Sequence, residues 1–376
     1  MSGSFGYGEA AFGGNMEFFD EIEEREFSDE FEEPESEWES EDSETGPPFV
    51  HPQLGIGLPV SSELEFEDRE DQEEEIIGSS DSRSPVRNTT KAPYRFVCRL
   101  EMIFQDPGWN GGVAMKFAGT GTLISPRHVL TAGHNIRSIF GGKALTAKSV
   151  TASPGQDRDK KPFGTCKVTG FKAKNEWMND QNACHDYALL TLEKDMGSLK
   201  FKAIGNKPLG YWGDFEKGND TRLEFVDPDK LKKSTVRVVG YAGDKCGYLP
   251  IEKYKKGAVC TYTPSGTVSK GLQDCLKAGL HASAQFGAKG KMLDPLPAGG
   301  GSFLFAYDAD TCKGHSGSPV WAENKGLLYL IGVHTGPWSI AKGSCADVVP
   351  AGAATDANRA VRVTTNMLDN IRKWKA

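Results

Sequence analysis

Three residues at widely spaced positions in this 376-residue chain could together carry out acyl transfer. Ser316 lies in Asp310-Thr-Cys-Lys-Gly-His-Ser-Gly-Ser-Pro319, just after a Cys-Lys-Gly turn. A serine hydroxyl is a weak nucleophile until the backbone presents it and a base takes its proton. Gly314 can bring its N–H into line with that of Ser316. Two such donors make an oxyanion hole for the charge that develops on an attacked carbonyl. A Gly-x-Ser-Gly string is weak by itself, so it needs a base and a carboxylate from elsewhere in the chain. The base is His134, which ends Gly119-Thr-Gly-Thr-Leu-Ile-Ser-Pro-Arg-His-Val-Leu-Thr-Ala-Gly-His134. That stretch reads as strand, turn at Ser125-Pro126, strand, with the histidine at a strand end. The carboxylate is Asp186, which precedes the apolar run Tyr187-Ala-Leu-Leu-Thr-Leu192.

The chain order His134, Asp186, Ser316 is that of chymotrypsin, not of subtilisin or the α/β-hydrolases. Thr131-Ala-Gly-His134, His185-Asp-Tyr-Ala-Leu-Leu190 and Gly314-His-Ser-Gly-Ser-Pro-Val320 resemble the chymotrypsin-fold serine proteases, and more closely the bacterial glutamyl endopeptidases. The resemblance runs over about residues 76–376 and includes Gly240-Tyr-Ala-Gly-Asp-Lys245 and Ile371-Arg-Lys-Trp374. It implies that Ser316 attacks, that His134 acts as general base, that Asp186 orients the imidazole, and that Gly314 and Ser316 form the oxyanion hole. It also implies that Thr311 and His334 line a pocket for a substrate Glu, with the freed α-amino group of Ile76 adding positive charge. The chemistry suits that pocket: a hydroxyl and an imidazole both donate to a carboxylate, and charge strengthens the bond.

The elements that must position these groups are short. Apolar or alternating runs at Arg95–Phe104, Gly121–Ile124, Val129–Ala132, Cys166–Phe171, Tyr187–Leu192, Thr235–Gly240, Val320–Trp321 and Leu327–Val333 are separated by Gly, Pro, Asn and Asp. Many short strands with frequent turns predict an all-β fold. The resemblance narrows it to a chymotrypsin-like double β-barrel. The N-terminal barrel is expected over about 92–205 and the C-terminal one over about 206–362. Met367, Leu368, Ile371 and Trp374 fall at helical spacing and predict a closing helix over 364–375. Cys246–Gly301 is longer than the corresponding family segment and is expected to be a surface insertion.

Charge divides the chain. Residues 1–75 hold 26 acidic and 2 basic residues; residues 76–376 hold 26 acidic and 42 basic ones. The first segment is low-complexity and acidic, so it is expected to be mostly disordered. It reads as a pro-segment attracted to a basic protease. Ile76-Ile-Gly-Ser79 through Asn88-Thr-Thr90 resembles a mature glutamyl endopeptidase start, so self-cleavage after Glu75 is expected. No standard signal peptide is visible and no window is long enough for a membrane span. The expectation is nevertheless an exported monomer acting on Glu-containing polypeptides, without cofactor or metal, and binding neither nucleic acid nor membrane.

Eight cysteines suggest disulfides and an oxidising compartment. Two pairings are expected: Cys312–Cys345, which would brace the pocket as a similarly placed bridge does in chymotrypsin-like enzymes, and Cys166–Cys184, which would tie the loop before Asp186. Cys98, Cys246, Cys260 and Cys275 stay unassigned. Two alternatives remain open. Asp310 stands where trypsin-like enzymes keep the carboxylate that selects Arg and Lys, although His334 and His315 depart from that pattern. The chain could also be a restricted-target, toxin-like protease-fold protein.

Overall fold

The computed structural model describes residues 76–375 apart from 78–79, 109, 215–219, 232–233, 252–267, 294–302 and 339–356. The acidic segment 1–75 lies outside the described residues, as do Cys260 and Cys345.

Alternating and apolar runs form two closed six-stranded barrels. The first contains β1 (Val97–Phe104), β2 (Met115–Ser125), β3 (His128–Thr131), β4 (Ser149–Pro154), β5 (Cys166–Ala173) and β6 (Ala188–Leu192). Its ring order is β1-β2-β3-β6-β5-β4, closed by β4 on β1. The second contains β7 (Thr235–Tyr241), β8 (Gln285–Leu293), β9 (Leu304–Tyr307), β10 (Pro319–Asn324), β11 (Leu327–Pro337) and β12 (Asn358–Arg362). Its ring, β7-β8-β9-β12-β11-β10, repeats the first barrel's order strand for strand. Closure leaves neither barrel an open edge.

Leu100, Met102, Phe104, Leu123, Val129 and Leu190 fill the first barrel, and Val239, Trp321, Leu330, Val333 and Val361 belong to the same apolar cluster from the second. The helix α1 (Thr365–Lys375) leaves β12 and is capped by Thr364, whose hydroxyl accepts the Met367 N–H at 3.1 Å. It buries Met367, Leu368 and Ile371. It then returns to the first barrel: Trp374 packs on the Tyr187 ring at 5.6 Å, and Asn370 donates to the Tyr187 hydroxyl at 2.9 Å. The second barrel's chain end therefore supports the residue after Asp186.

Two expectations need correction. The stretch Cys246–Gly301 is not simply a surface insertion, because Gln285–Leu293 within it is the barrel strand β8. The pairing Cys166–Cys184 does not form. Cys166 carries a free buried thiol, while Cys184 belongs to another disulfide. The register explains why: β5 and β6 pair from Val168–Leu192 to Ala173–Ala188, with Cys166 at one end of the hairpin and Cys184 beyond the other. Seven residues of strand separate the ends by about 23 Å, far outside disulfide reach. Cys246 and Cys275 are bridged, and Cys312 is disulfide-bonded.

Candidate active site

β3 ends at Thr131, and the single turn Gly133–Asn135 that follows carries His134 inward. The turn Ala183–His185 ahead of β6 delivers Asp186 to the same place. The carboxylate grips the histidine at two points. Oδ2 lies 2.8 Å from His134 Nδ1, and Oδ1 accepts the His134 backbone N–H at 2.8 Å. Both residues are fully buried. With Nδ1 committed to Asp186, Nε2 is the ring nitrogen left for proton transfer.

Ser316 comes from the other barrel, on the turn between β9 and β10. This turn is built from internal bonds: His315 N–H to Cys312 O at 2.9 Å, and Ser318 N–H to His315 O at 2.7 Å. Gly317 N–H donates to His334 O and His334 N–H to Ser318 O, which stitches His334 of β11 beside the serine. Gly314 and Gly317 take φ of +98° and +89°. A side chain at Gly314 would strike the Tyr241 carbonyl, and one at Gly317 the Thr120 carbonyl. Both glycines are thus required by backbone sign and by space.

The first barrel holds this turn directly. Thr120 N–H donates to Ser316 O at 2.9 Å, and its hydroxyl donates to Gly314 O at 2.7 Å while accepting Tyr241 N–H at 3.0 Å. Asn135 Nδ2 donates to Ser316 O at 2.8 Å and to the Thr131 hydroxyl at 2.9 Å. Asn135 is the neighbour of His134, so one short segment places the imidazole and clasps the serine turn. Reading the sequence missed both Thr120 and Asn135.

The expected pocket residues converge on the second barrel. Thr311 and His334 are fully buried, and Ile76 packs against Cys312, the residue after Thr311. The Tyr307 hydroxyl lies 2.6 Å from His334 Nδ1, with the two rings edge to face. Tyr307 is a third residue the sequence did not signal.

Asp310 does not face a substrate cavity as a selector for Arg or Lys would. Its Oδ1 accepts the Ile77 N–H at 2.6 Å, and Oδ2 accepts both the Ser82 N–H and the Ser82 hydroxyl at 2.6 Å. Next along that segment, Arg83 bridges Asp81 and Asp244, and Lys245 joins Asp81 at 2.9 Å. Burial alone would raise the Asp81 and Asp244 carboxyls, but Arg83 and Lys245 outweigh it and hold both well below the usual range. Ser84–Pro85 then pairs antiparallel with Phe286 and Gly287 of β8.

No family model matches the chain. It is 25% identical over 300 residues to the glutamyl endopeptidase of Bacillus licheniformis, across 80% of this chain and 69% of that protein. It is 31% identical over 152 residues to an extracellular metalloprotease of Bacillus subtilis, across 40% of this chain and 42% of that one. Among solved structures, a Glu endopeptidase in complex with MPD aligns at a TM-score of 0.49 and 19% identity, covering 79% of this chain and 98% of that one. Among the described residues, no group of three or more His, Cys, Asp or Glu is gathered as a metal site, and no helix is long and apolar enough to cross a membrane. The chain is a serine endopeptidase with the double-barrel chymotrypsin fold, a homologue of the bacterial glutamyl endopeptidases.

Proposed function

We propose that the chain hydrolyses peptide bonds after glutamate, with Ser316, His134 and Asp186 as its triad. The observation that supports this most is the buried two-point grip of Asp186 on His134, tied through Asn135 to the Ser316 turn. His134 Nε2 takes the Ser316 proton as Oγ bonds to the scissile carbonyl carbon. The Gly314 and Ser316 N–H groups receive the oxyanion. Collapse breaks the C–N bond, and Nε2 passes its proton to the departing amine. Water then attacks the acyl ester, giving its proton to Nε2, and the carboxylic product leaves as Ser316 regains the proton. Asp186 keeps Nδ1 protonated and stabilises the imidazolium throughout.

Selectivity for Glu rests on Thr311, on His334 with Tyr307 behind it, and on the Ile76 α-amino group once the preceding bond is cut. The saturated Asp310 carboxylate argues against the trypsin-like alternative. Residues 1–75 act as the pro-segment, released by self-cleavage after Glu75, and the enzyme works outside the cell as a monomer. The test compares the full chain with Ser316→Ala by intact mass and N-terminal sequencing, and scans peptides differing only before the scissile bond. The reading expects a new terminus at Ile76 in the active chain alone and cleavage after Glu. Cleavage only after Lys or Arg, or an active chain left uncut at Glu75, would refute it.

A further inference from the structure

The described residues between Ile76 and Val86 form a strap on the second barrel, and the attachment of its first part is concentrated at one carboxylate. A free carboxylate beside a pocket for Glu would repel the substrate. Asp310 is instead fully buried and satisfied by three donors, all from the strap: Ile77 N–H, Ser82 N–H and the Ser82 hydroxyl. One residue away, Thr311 is a pocket residue of the proposed site. One residue before Ile77, the Ile76 side chain is buried against Cys312. The Ile76 nitrogen is thus held between two fixed points, its own side chain and the Ile77 amide. The rest of the strap is anchored independently. Arg83 pairs with Asp244, Ser84–Pro85 with β8, and Val86 N–H donates to Gln285 O at 2.9 Å. None of these bonds uses the α-amino group of Ile76, so they do not depend on cleavage.

We propose that Asp310 is the positioning residue for acid recognition. By gripping Ile77 and Ser82 it registers the Ile76 α-amino group at the pocket wall, so cleavage before Ile76 places a positive charge at a location already set. The inference rests on the reading of the pocket as Glu-selective and assigns the register of its N-terminal charge to a residue that would select Arg or Lys in a trypsin. Asp310 itself need not touch substrate.

The test uses mature enzyme with its N-terminus verified at Ile76, in wild-type, Asp310→Ala, Asp310→Asn and Ser82→Ala forms. Three readouts are taken: kcat/KM for matched peptides with Glu or Gln before the scissile bond, the rate of Ser316 labelling by a small fluorophosphonate, and the thermal midpoint. Loss of a charge-assisted grip should lower the Glu-to-Gln preference about tenfold or more in Asp310→Ala, chiefly through KM. Labelling should stay within about twofold, since the oxyanion turn is held elsewhere by Thr120 and Asn135. Asp310→Asn, which keeps one acceptor, should fall between, and Ser82→Ala should shift the preference the same way by less. If Asp310→Ala does not fold, Ser82→Ala decides. Unchanged preference in folded variants, or Glu, Gln and phosphonate rates falling in parallel, overturns the inference alone. A wild type that does not prefer Glu to Gln overturns the pocket reading with it.

Discussion

Both barrels follow one strand order, but they hold their parts of the site by different means. In the first, histidine and carboxylate sit on two single-turn segments, each leading from or into a barrel strand, and fix each other with two bonds. In the second, the serine turn needs glycines at positive φ, hydroxyl and amide donors from the other barrel, and a neighbouring strap. The histidine–carboxylate pairing of the first half is self-contained, although the C-terminal helix braces Tyr187 beside it, and the second half is assembled by its surroundings. Substitutions should therefore fail differently in the two halves.

The largest effect should come from the self-contained half. Asp186→Asn offers an N–H where a carboxylate oxygen now accepts, so His134 adopts the wrong tautomer. The turnover number should fall roughly ten-thousandfold with little change in thermal midpoint. A loss under about tenfold would mean that His134 is oriented by something other than Asp186.

This division also decides what could be read from the sequence. His134, Asp186 and Ser316 each sit in a short string whose chemistry is local, so residue type and order suffice to propose them. The closing helix and most strands followed from periodicity. Strands β4, β8, β9 and β12 were not anticipated. Ser149–Pro154 and Leu304–Tyr307 are short, and Gln285–Leu293 is interrupted by Gly287 and Gly290, so none has a clean two-residue alternation. Thr120, Asn135 and Tyr307 escaped notice because each acts across the chain. Nothing in Gly119-Thr-Gly121 announces a partner 194 residues away at Gly314. Asp310 was visible, but its partners were not, and so its role was read from position alone. The expected bridge Cys166–Cys184 failed for the same reason: nearness in sequence is not nearness across a hairpin.

The strap should break next. Arg83 and Asp244 have fully buried side chains. Arg83→Leu leaves a buried carboxylate without its main partner and should cost about 3–5 kcal/mol of stability. Acid should loosen the same region in wild type. Asp81 and Asp244 titrate below their ordinary values when folded, so their contribution is present above about pH 4 and is lost as pH falls further. His281 adds an earlier step. Burial first, then Arg99, push it down to about 4 against the opposing pull of Asp244 and the Gly243 backbone. The unfolded chain binds the extra proton between about 6.5 and about 4, so stability falls across that window by up to roughly 3 kcal/mol. Denaturant titrations at several pH values should show both steps. His281→Asn should remove the upper one and Arg83→Leu the lower. A flat profile from pH 7 to 4 would contradict this account.

A smaller loss is expected at the clasp between the barrels. Asn135→Ala removes one of the two donors on the Ser316 carbonyl and leaves the Thr120 N–H in place. One buried hydrogen bond at this position corresponds to about tenfold in kcat/KM. The loss should be equal for Glu and Gln peptides, because the clasp serves the nucleophile and not the pocket. If the loss were confined to Glu peptides, the division between clasp and pocket would be wrong.

The smallest effect separates the pocket histidine from its support. Tyr307→Phe keeps the ring packed against Phe305 and His334 and deletes only the hydroxyl 2.6 Å from Nδ1. With the tyrosine donating to Nδ1, the proton of the neutral imidazole sits on Nε2, the nitrogen the proposed pocket needs as a donor. Without it the ring exchanges between tautomers and gives up part of one hydrogen bond, about fivefold in kcat/KM for Glu peptides. Tyr307→Phe should therefore lower kcat/KM for Glu peptides while leaving Gln peptides and fluorophosphonate labelling as in wild type. A parallel drop on Glu peptides, Gln peptides and labelling would mean that Tyr307 merely packs the barrel.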